Sequence, residues 1–210
     1  GVIQLKETVR PDLLYKNYFY RTAINDTMRR DLQDVVNYAV NNVKTEKDDI
    51  AIDIGANDCT MVSMYPEYMK RIGIEPATNI DCSNVSKSIT IVNDYFSKDV
   101  VMKTTNGKKA KILSAIAMFY DLPDPIKFVE DVHDCLDKDG IWHFEQSYMP
   151  SMIKNFSYDT ICHEHLYYYS TKVIIDIVLK HNLRVFDLKR NNINGGSTQY
   201  FICKKNSKYK

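Results

Sequence analysis

The segment "SYDTICHEHLYYYS" (157–170) concentrates side chains that can carry chemistry. His163, Glu164 and His165 are consecutive and three tyrosines follow, in a chain with only five histidines. A histidine titrates near neutrality and can remove a proton from a carbon beside a ketone, and a second polar group must then stabilise the enolate. A metal site is disfavoured, because ligands at i and i+2 rarely form a closed site and no further His/Cys cluster lies nearby in sequence. Spacing alone leaves an acid–base site and a solvated surface loop both open.

A second candidate site follows the first apolar strand, at "DIGANDCT". A pyrophosphate cradle needs G-x-G-x-x-G, but only Gly55 is present, with Asn57 and Cys59 where further glycines would stand. This disfavours NAD or FAD and favours a ligand without a pyrophosphate. Glu75, twenty residues after Gly55, ends the second strand and can accept hydrogen bonds from both hydroxyls of a ribose. Otherwise Asp53 and Glu75 simply cap neighbouring loops.

Composition excludes several function classes. With 210 residues, 44% of them hydrophobic and 26% charged, the chain has the composition of an ordinary globular protein and is expected to fold as one well-buried domain in preference to two small ones. A net charge of +1 gives no strong case for binding nucleic acid or an anionic membrane, and no apolar run approaches the ~20 residues of a membrane span. The five cysteines are scattered without a C-x-x-C pair, which predicts neither a zinc knuckle nor disulfides and favours a reducing, cytoplasmic location.

Hydrophobic periodicity predicts an α/β fold. An aromatic-rich segment and a helix over 26–43 make up residues 1–45 and are expected to pack on a core formed by residues 46–210. Within that core, strands are predicted at 49–55, 71–76, 87–93, 110–122, 140–148, 183–190 and 197–205, with helices from Thr60, over 124–140 and over 170–182.

The order of these elements predicts the sheet. Strands that alternate with helices form a mostly parallel sheet with helices on both faces, in a Rossmann-like arrangement. The last two strands are joined by "NNINGG" without a helix, so they should pair antiparallel. A seven-stranded sheet with an antiparallel terminal hairpin, a single-glycine turn and an acid after the second strand together point to S-adenosylmethionine as the ligand.

Several segments carry a family resemblance. The stretches "AIDIGANDCTMVSMYP", "GIEPATNI", "SAIAMFYDLPDP", "WHFEQSYMPSMI", "YDTICHEHLYYYS" and "NINGGSTQYFI" resemble the class I S-adenosylmethionine-dependent C-methyltransferases that act on nucleotide-linked deoxysugars. The resemblance runs from about Gln4 to Lys204, with Cys59 where the family usually has glycine. Such enzymes commonly also carry an N-terminal zinc module and a C-terminal domain. The chain is therefore expected to be a catalytic core, either cut from a longer polypeptide or naturally minimal.

The resemblance assigns roles to individual residues. It implies that His165 is the general base, with Glu164 and His163 as its polar surroundings or as sugar contacts, and it implies no metal. The expected cofactor-binding residues are Asp53, Gly55, Asn57, Glu75, Pro76, Asn93, Ala115, Tyr18 and Tyr20. The expected substrate-binding residues are Tyr120, Glu145, Gln146, Tyr168, Asn194 and Gly195.

The implied activity is C-methylation of a nucleotide-linked keto or deoxy sugar, with proton abstraction by histidine. One alternative keeps the fold and cofactor but moves the methyl group to oxygen, with His165 deprotonating a hydroxyl. Another is a non-catalytic domain that serves as an interaction platform in a larger protein. The nucleotide sugar is the expected partner, with neither nucleic acid nor membrane.

Overall fold

The computed structural model describes residues 1–82 and 85–209. Its strands and helices, in chain order, are β1 (Val2–Gln4), α1 (Pro11–Tyr15), α2 (Asp26–Asn42), β2 (Ile50–Ile54), α3 (Thr60–Met64), β3 (Lys70–Ile74), β4 (Ile89–Val92), α4 (Lys98–Thr104), β5 (Ala110–Ile116), α5 (Pro125–Cys135), β6 (Leu136–Ser147), α6 (Met149–Asn155), β7 (Tyr167–Tyr169), α7 (Thr171–Lys180), β8 (Leu183–Asn191) and β9 (Ser197–Lys204).

Seven strands form the central sheet in the order β4-β3-β2-β5-β6-β9-β8. Strands β2 to β6 pair in parallel, whereas β9 is antiparallel to both β6 and β8. The predicted mostly parallel sheet with an antiparallel terminal hairpin is confirmed. The turn between β8 and β9 is too short for a crossover, so β9 must reverse direction. The carboxyl ends of β2, β3, β5 and β6 consequently lie along one edge of the sheet.

Helices cover both faces of this sheet. On one face, α4, α5 and α7 bury residues such as Val101, Val129 and Ile174 against the strands. On the other face, α2 and α3 do the same, and α2 buries the predicted apolar stripe that includes Leu32 and Val36. Asn25 caps α2 by accepting hydrogen bonds from the backbone N–H groups of the first turn. Strand β2 is buried along its whole length, as expected for a central parallel strand.

Some predicted boundaries are wrong. Strand β5 ends at Ile116 instead of 122, because residues 119–121 form a 3-10 turn. Helix α3 ends at Met64, before Pro66, and α5 ends at Cys135 because Leu136 already pairs with Ala110 of β5. Helices α4 and α6 were not predicted. A separate two-stranded sheet, in which β1 pairs antiparallel with β7, was not predicted either.

The pairing of β5 with β6 depends on a close approach at Gly140. A Cβ atom at this position would lie 2.8 Å from the carbonyl oxygen of Ala110 and 2.9 Å from that of Lys111. Both obstacles are backbone atoms of the neighbouring central strand, so they cannot move aside cheaply.

We therefore expect Gly140→Ala to lower the free energy of unfolding by about 2 kcal/mol, through overpacking. Urea denaturation measures this loss. Lys138→Ala, at an exposed position of the same strand, is the matched control and should change stability by less than about 0.5 kcal/mol. Equal stability of the two variants would contradict the close-approach argument.

Candidate active site

A cavity of about 700 Å³ opens at the carboxyl edge of the sheet. Its floor is formed by residues at the ends of β2, β3 and β5, and its roof by the N-terminal segment from Pro11 to Thr22 together with α2. Of the residues predicted to act, ten line it: Asp53, Gly55, Asn57, Glu75, Pro76, Tyr18, Tyr20, Tyr120, His165 and Asn194. The sheet topology thus brings residues from distant parts of the sequence to one space.

The loop after β2 has an unusual backbone. Gly55, Asn57 and Cys59 all adopt left-handed conformations, with φ of 71°, 49° and 62°. Glycine adopts such conformations without steric cost, whereas Asn57 and Cys59 have a Cβ atom that makes the left-handed backbone less favourable. Cys59 is fully buried in a small apolar cluster with Ala56. The thiol that replaces the family's usual glycine therefore fills space behind the loop, away from the cavity.

Glu75 is the electrostatic centre of the loop region. Its Oε2 accepts a hydrogen bond from the Asn57 N–H at 2.7 Å, and its Oε1 accepts one from the Ala77 N–H at 2.8 Å. Burial raises the pKa of Glu75, and the two N–H donors partly offset that shift. Each carboxylate oxygen has a further lone pair that can accept from a ligand hydroxyl. This geometry suits a ribose with two neighbouring hydroxyls.

Asn93 has a supporting position and does not line the cavity. Its side-chain amide donates to the carbonyl oxygens of Glu75 and Ala77, at 2.8 and 3.0 Å. The predicted direct contact with the cofactor is replaced by a role in holding the loop that presents Glu75.

Asp53 lies at the end of β2 and is buried. Its Oδ1 accepts a hydrogen bond from the Ser114 hydroxyl at 2.9 Å, and burial raises its pKa to about 7. A positively charged ligand group in the cavity would favour the ionised form of this carboxyl. Asp53 can therefore pair with a cationic part of a cofactor.

Ala115 does not line the cavity. It is fully buried on β5 among core residues such as Ile54 and Phe144, and its chain neighbour Ile116 lines the cavity instead. Successive residues of a strand face opposite sides of the sheet, so the predicted contact is displaced by one position.

The roof is tied to the loop through Asn57. The Asn57 side-chain amide donates to the Tyr20 carbonyl oxygen at 3.1 Å, and its Oδ1 accepts from the Thr22 N–H at 3.1 Å. The roof also contacts the loop after β3, where the Thr78 N–H donates to the Lys16 carbonyl oxygen at 3.1 Å. These bonds hold Tyr18 and Tyr20 over the cavity.

His165 is placed as a general base would be. Its Nδ1 lies 2.7 Å from the Thr160 carbonyl oxygen, which can only accept, so Nδ1 carries the proton and Nε2 keeps a lone pair. The imidazole packs against Tyr120 with ring centroids 4.2 Å apart. Burial lowers the pKa of His165, while the bond to Thr160 and the charge of Glu164 act in the opposite direction. The net shift favours the neutral ring.

The two other residues of the His-Glu-His motif do not line the cavity. His163 is exposed, and Glu164 is partly exposed and acts on His165 through its charge. Residues 161–166 form bends without strand geometry, so positions i and i+2 need not face the same way, and only His165 reaches the cavity. The three residues therefore do not form one catalytic group.

Four predicted substrate residues lie outside the cavity lining. Tyr168 is buried and its hydroxyl donates to the Thr160 carbonyl oxygen at 3.4 Å, so it supports the partner of His165. Gly195 adopts a left-handed conformation in the β8–β9 turn, where a Cβ would come within 2.7 Å of the Ser157 Oγ. Gln146 is buried, and neither of its amide atoms has a hydrogen-bond partner in the part of the chain that the structure describes.

Glu145 faces α2 instead of the cavity. It accepts hydrogen bonds from the Gln199 and Asn191 side-chain amides at 2.7 and 3.0 Å. Asp31 of α2 lies beside it, and burial together with the charge of Glu145 raises the pKa of Asp31 to about 7. Glu145 thus belongs to a network that joins α2 to the end of the sheet.

Sequence reasoning missed part of the lining. Tyr15, Tyr95, Met118 and Asp121 all line the cavity. Asp121 follows the predicted Tyr120 directly, and Tyr15 belongs to the aromatic N-terminal segment, so both were within segments already singled out.

Metal clusters and membrane-spanning helices are both absent from the part of the chain that the structure describes. Within 1–82 and 85–209, no group of three or more His, Cys, Asp or Glu side chains is arranged to hold a metal ion. None of the helices over the same residues is both long and apolar enough to cross a membrane.

The fold and the site together define a class. A sheet whose next-to-last strand in space is the antiparallel one, with a buried acid after β3 and a cavity at the carboxyl edge, is a Rossmann-like class I methyltransferase fold. The family model for the methyltransferase domain matches residues 24–188, and the chain belongs to this family. S-adenosylmethionine is its cofactor, and Glu75, Asp53 and the Gly55 loop fit its ribose and its cationic methionine end.

Known proteins agree with this assignment. The chain is 24% identical over 204 residues to the C-methyltransferase NovU of Streptomyces niveus; the match covers 96% of this chain and 49% of the relative, so the chain spans about half the relative's length. The plantazolicin methyltransferase BpumL, solved with a desmethyl substrate analogue and S-adenosylhomocysteine, has a similar fold (TM-score 0.63, 10% identity, 86% of each chain). So has the N-methyltransferase NodS of Bradyrhizobium japonicum (TM-score 0.61, 11% identity, 86% of this chain and 97% of that one).

Glu75 provides a direct test of the cofactor site. We expect Glu75→Gln to raise the dissociation constant for S-adenosylhomocysteine about tenfold or more. One carboxylate oxygen becomes an N–H₂ group, which would face a backbone N–H donor and could not accept a hydrogen bond from the ligand. Isothermal calorimetry measures the affinity. Glu67→Gln, at an exposed position between α3 and β3, is the control and should bind like the wild type. Wild-type affinity in both variants would contradict the role of Glu75.

Asp31 makes stability depend on pH. Its pKa is raised from 3.8 to about 7, so the folded state holds a proton that the unfolded chain releases. The stabilisation is complete below about pH 4 and is lost as pH rises to about 7. Because Asp31 is partly exposed, we expect this loss to be about 1–2 kcal/mol.

Asp31→Asn should remove that loss. Urea denaturation at a series of pH values should show a shallower decline for the variant than for the wild type, and Glu67→Gln, at an exposed position remote in sequence from α2, serves as control. Parallel declines in wild type and Asp31→Asn would refute the raised pKa of Asp31.

Proposed function

We propose that this methyltransferase domain transfers a methyl group to a carbon atom of a nucleotide-linked keto or deoxy sugar. The observation that carries the proposal is the orientation of His165, whose Nδ1–H is fixed by Thr160 and whose Nε2 is left as a base beside the cofactor cavity. A base is needed for a carbon acceptor, because a carbon beside a ketone becomes nucleophilic only after it loses a proton. A C-methyltransferase matches this chain over 96% of its length at 24% identity, which supports carbon as the acceptor atom.

The residues around the cavity have different roles in the proposed reaction. S-adenosylmethionine, when bound, supplies the methyl group as an electrophile. His165 takes the proton from the acceptor carbon, and burial keeps the imidazole neutral and ready to accept it. Tyr120 packs on the ring and Thr160 holds its Nδ1–H, so both restrict the ring to one orientation. Tyr18 and Tyr20 cover the cavity and limit access of water to the reacting groups.

The proposed substrate combines a sugar ring with a nucleoside diphosphate, and the two parts need not occupy one site. The match covers 49% of the relative, so the relative is about twice as long as the matched region. The cavity itself is acidic, with Lys127 near its rim paired to Asp131, which suits a cationic cofactor better than a diphosphate. We therefore place the sugar ring in the cavity and the diphosphate outside it.

The test compares His165→Gln with His163→Gln. Loss of the base should lower the turnover of methyl transfer about 100-fold or more, with little change in affinity for S-adenosylhomocysteine. The exposed His163 is the control, and its variant should have turnover close to that of the wild type. The substrates are a panel of nucleoside-diphosphate keto-deoxysugars, and the product is examined by carbon NMR.

The NMR spectrum separates the candidate activities. A new resonance of a C-methyl group supports the proposal, and one of an O-methyl group moves the acceptor to oxygen. Full turnover in His165→Gln would refute the assignment of the base. Wild-type protein that binds S-adenosylhomocysteine but methylates none of the panel would refute the sugar substrate.

A further inference from the structure

Asp121 is an unexplained carboxyl in the cavity. It ends the 3-10 turn after β5, directly after the Tyr120 that packs on His165, and it lines the cavity. Its Oδ1 is buried and has no hydrogen-bond partner among residues 1–82 and 85–209. The Tyr15 hydroxyl of the roof is likewise buried without a partner in that part of the chain. A buried carboxyl oxygen without a partner, in the same cavity as His165, requires a physical explanation.

The surroundings of Asp121 favour its protonated form. The titratable groups that interact with it are Tyr15 from α1, Tyr18 from the roof, Tyr120 from its own turn, and Glu164 and Tyr168 from the segment around His165. All of these are neutral or negative at neutral pH. Burial raises the pKa of Asp121 well above its ordinary value, the charge of Glu164 raises it further, and the Tyr15 hydroxyl only partly offsets the shift. The carboxyl therefore has an O–H to donate.

The proposed reaction requires such a donor. When a base removes a proton beside a ketone, negative charge develops on the carbonyl oxygen, and a hydrogen-bond donor near that oxygen lowers the barrier. His165 cannot serve, because its Nδ1–H is engaged by Thr160 and its Nε2 accepts the proton. A carboxylic acid kept neutral by burial is well suited to this role.

We propose that Asp121, as a neutral acid held in the turn after β5, donates a hydrogen bond to the substrate carbonyl oxygen while His165 removes the neighbouring proton. This inference rests on the proposed C-methylation. The C–H electron pair becomes the C=C bond of the enolate, the carbonyl π pair moves to oxygen, and the proton goes to the His165 Nε2. The enolate carbon then forms a bond to the methyl carbon as the carbon–sulfur bond breaks, and sulfur keeps that electron pair. Asp121 retains its proton throughout.

The experiment separates proton removal from methyl transfer. A nucleoside-diphosphate 4-keto-6-deoxyhexose is incubated with the protein and S-adenosylhomocysteine in D₂O, and exchange of the protons beside the ketone is followed by NMR. Methyl transfer is measured with S-adenosylmethionine. The variants are Asp121→Leu, which removes the donor, and Asp121→Asn, which keeps an N–H donor. Asp99→Leu, at an exposed position of α4, is the control.

Asp121→Leu should slow exchange and methyl transfer about 100-fold with little change in KM, because the donor acts on the developing charge. Asp121→Asn should keep more activity and lose the decline in rate that ionisation of Asp121 produces at high pH. Asp99→Leu should exchange like the wild type. A purely structural role would instead lower thermal stability in Asp121→Leu and leave the pH profile of Asp121→Asn unchanged.

Failure of this inference can be told from failure of the proposed function. If His165→Gln abolishes exchange while Asp121→Leu exchanges like the wild type, Asp121 is not the donor although the base is correct. If the wild type exchanges no proton of the probe, the proposed substrate is wrong, and infrared spectroscopy decides on Asp121 alone. The difference spectrum of wild type minus Asp121→Asn at neutral pH should contain the carbonyl band of a protonated carboxyl, and a carboxylate band in its place would overturn the inference.

Discussion

The site depends on one ionic hydrogen-bonding centre, the Glu75 carboxylate. By accepting the N–H groups of Asn57 and Ala77, it joins the loop after β2 to the loop after β3. Asn57 in turn holds the roof through its side-chain amide. Hydrogen bonds to a buried charged group are among the strongest in proteins, so this centre can hold the left-handed conformations of Asn57 and Cys59. The shape of the loop and the closure of the cavity consequently depend on the same side chain.

A second constraint governs the reacting end of the cavity. The Thr160 carbonyl oxygen accepts from the His165 Nδ1–H, and the Tyr168 hydroxyl donates to the same oxygen. One backbone carbonyl therefore sets both the tautomer of His165 and the position of a neighbouring tyrosine. The buried acids Asp53 and Glu75 also line the cavity and give it a negative potential when they are ionised. This potential suits a sulfonium cofactor and opposes anionic ligands.

The sequence predicted the architecture well and the fine geometry of the site less well. Alternating strands and helices, the apolar stripe of α2 and the short turn before β9 were sufficient for the sheet, because each is a local pattern with a physical period. Glu75 and Gly55 were predicted to contact the cofactor because each lies at the end of a predicted strand. Ala115 was misplaced because the prediction did not follow the alternation of faces along β5. Helices α4 and α6 are only seven residues long, and β1 is exposed throughout, so none of them has a recognisable period. Asp121 and Tyr15 approach each other only through the tertiary fold, which no local pattern records.

The pairing of β1 with β7 links the first residues of the chain to the segment that carries the base. Val2 and Gln4 align with Tyr169 and Tyr167, and the Leu5 N–H donates to the carbonyl oxygen of Leu166, the residue after His165. The β1 side chains are exposed, so they can change without disturbing the core. Substitutions in β1 can therefore change how rigidly the His165 imidazole is held, and with it the rate of reaction. The residues that line the cavity stay the same.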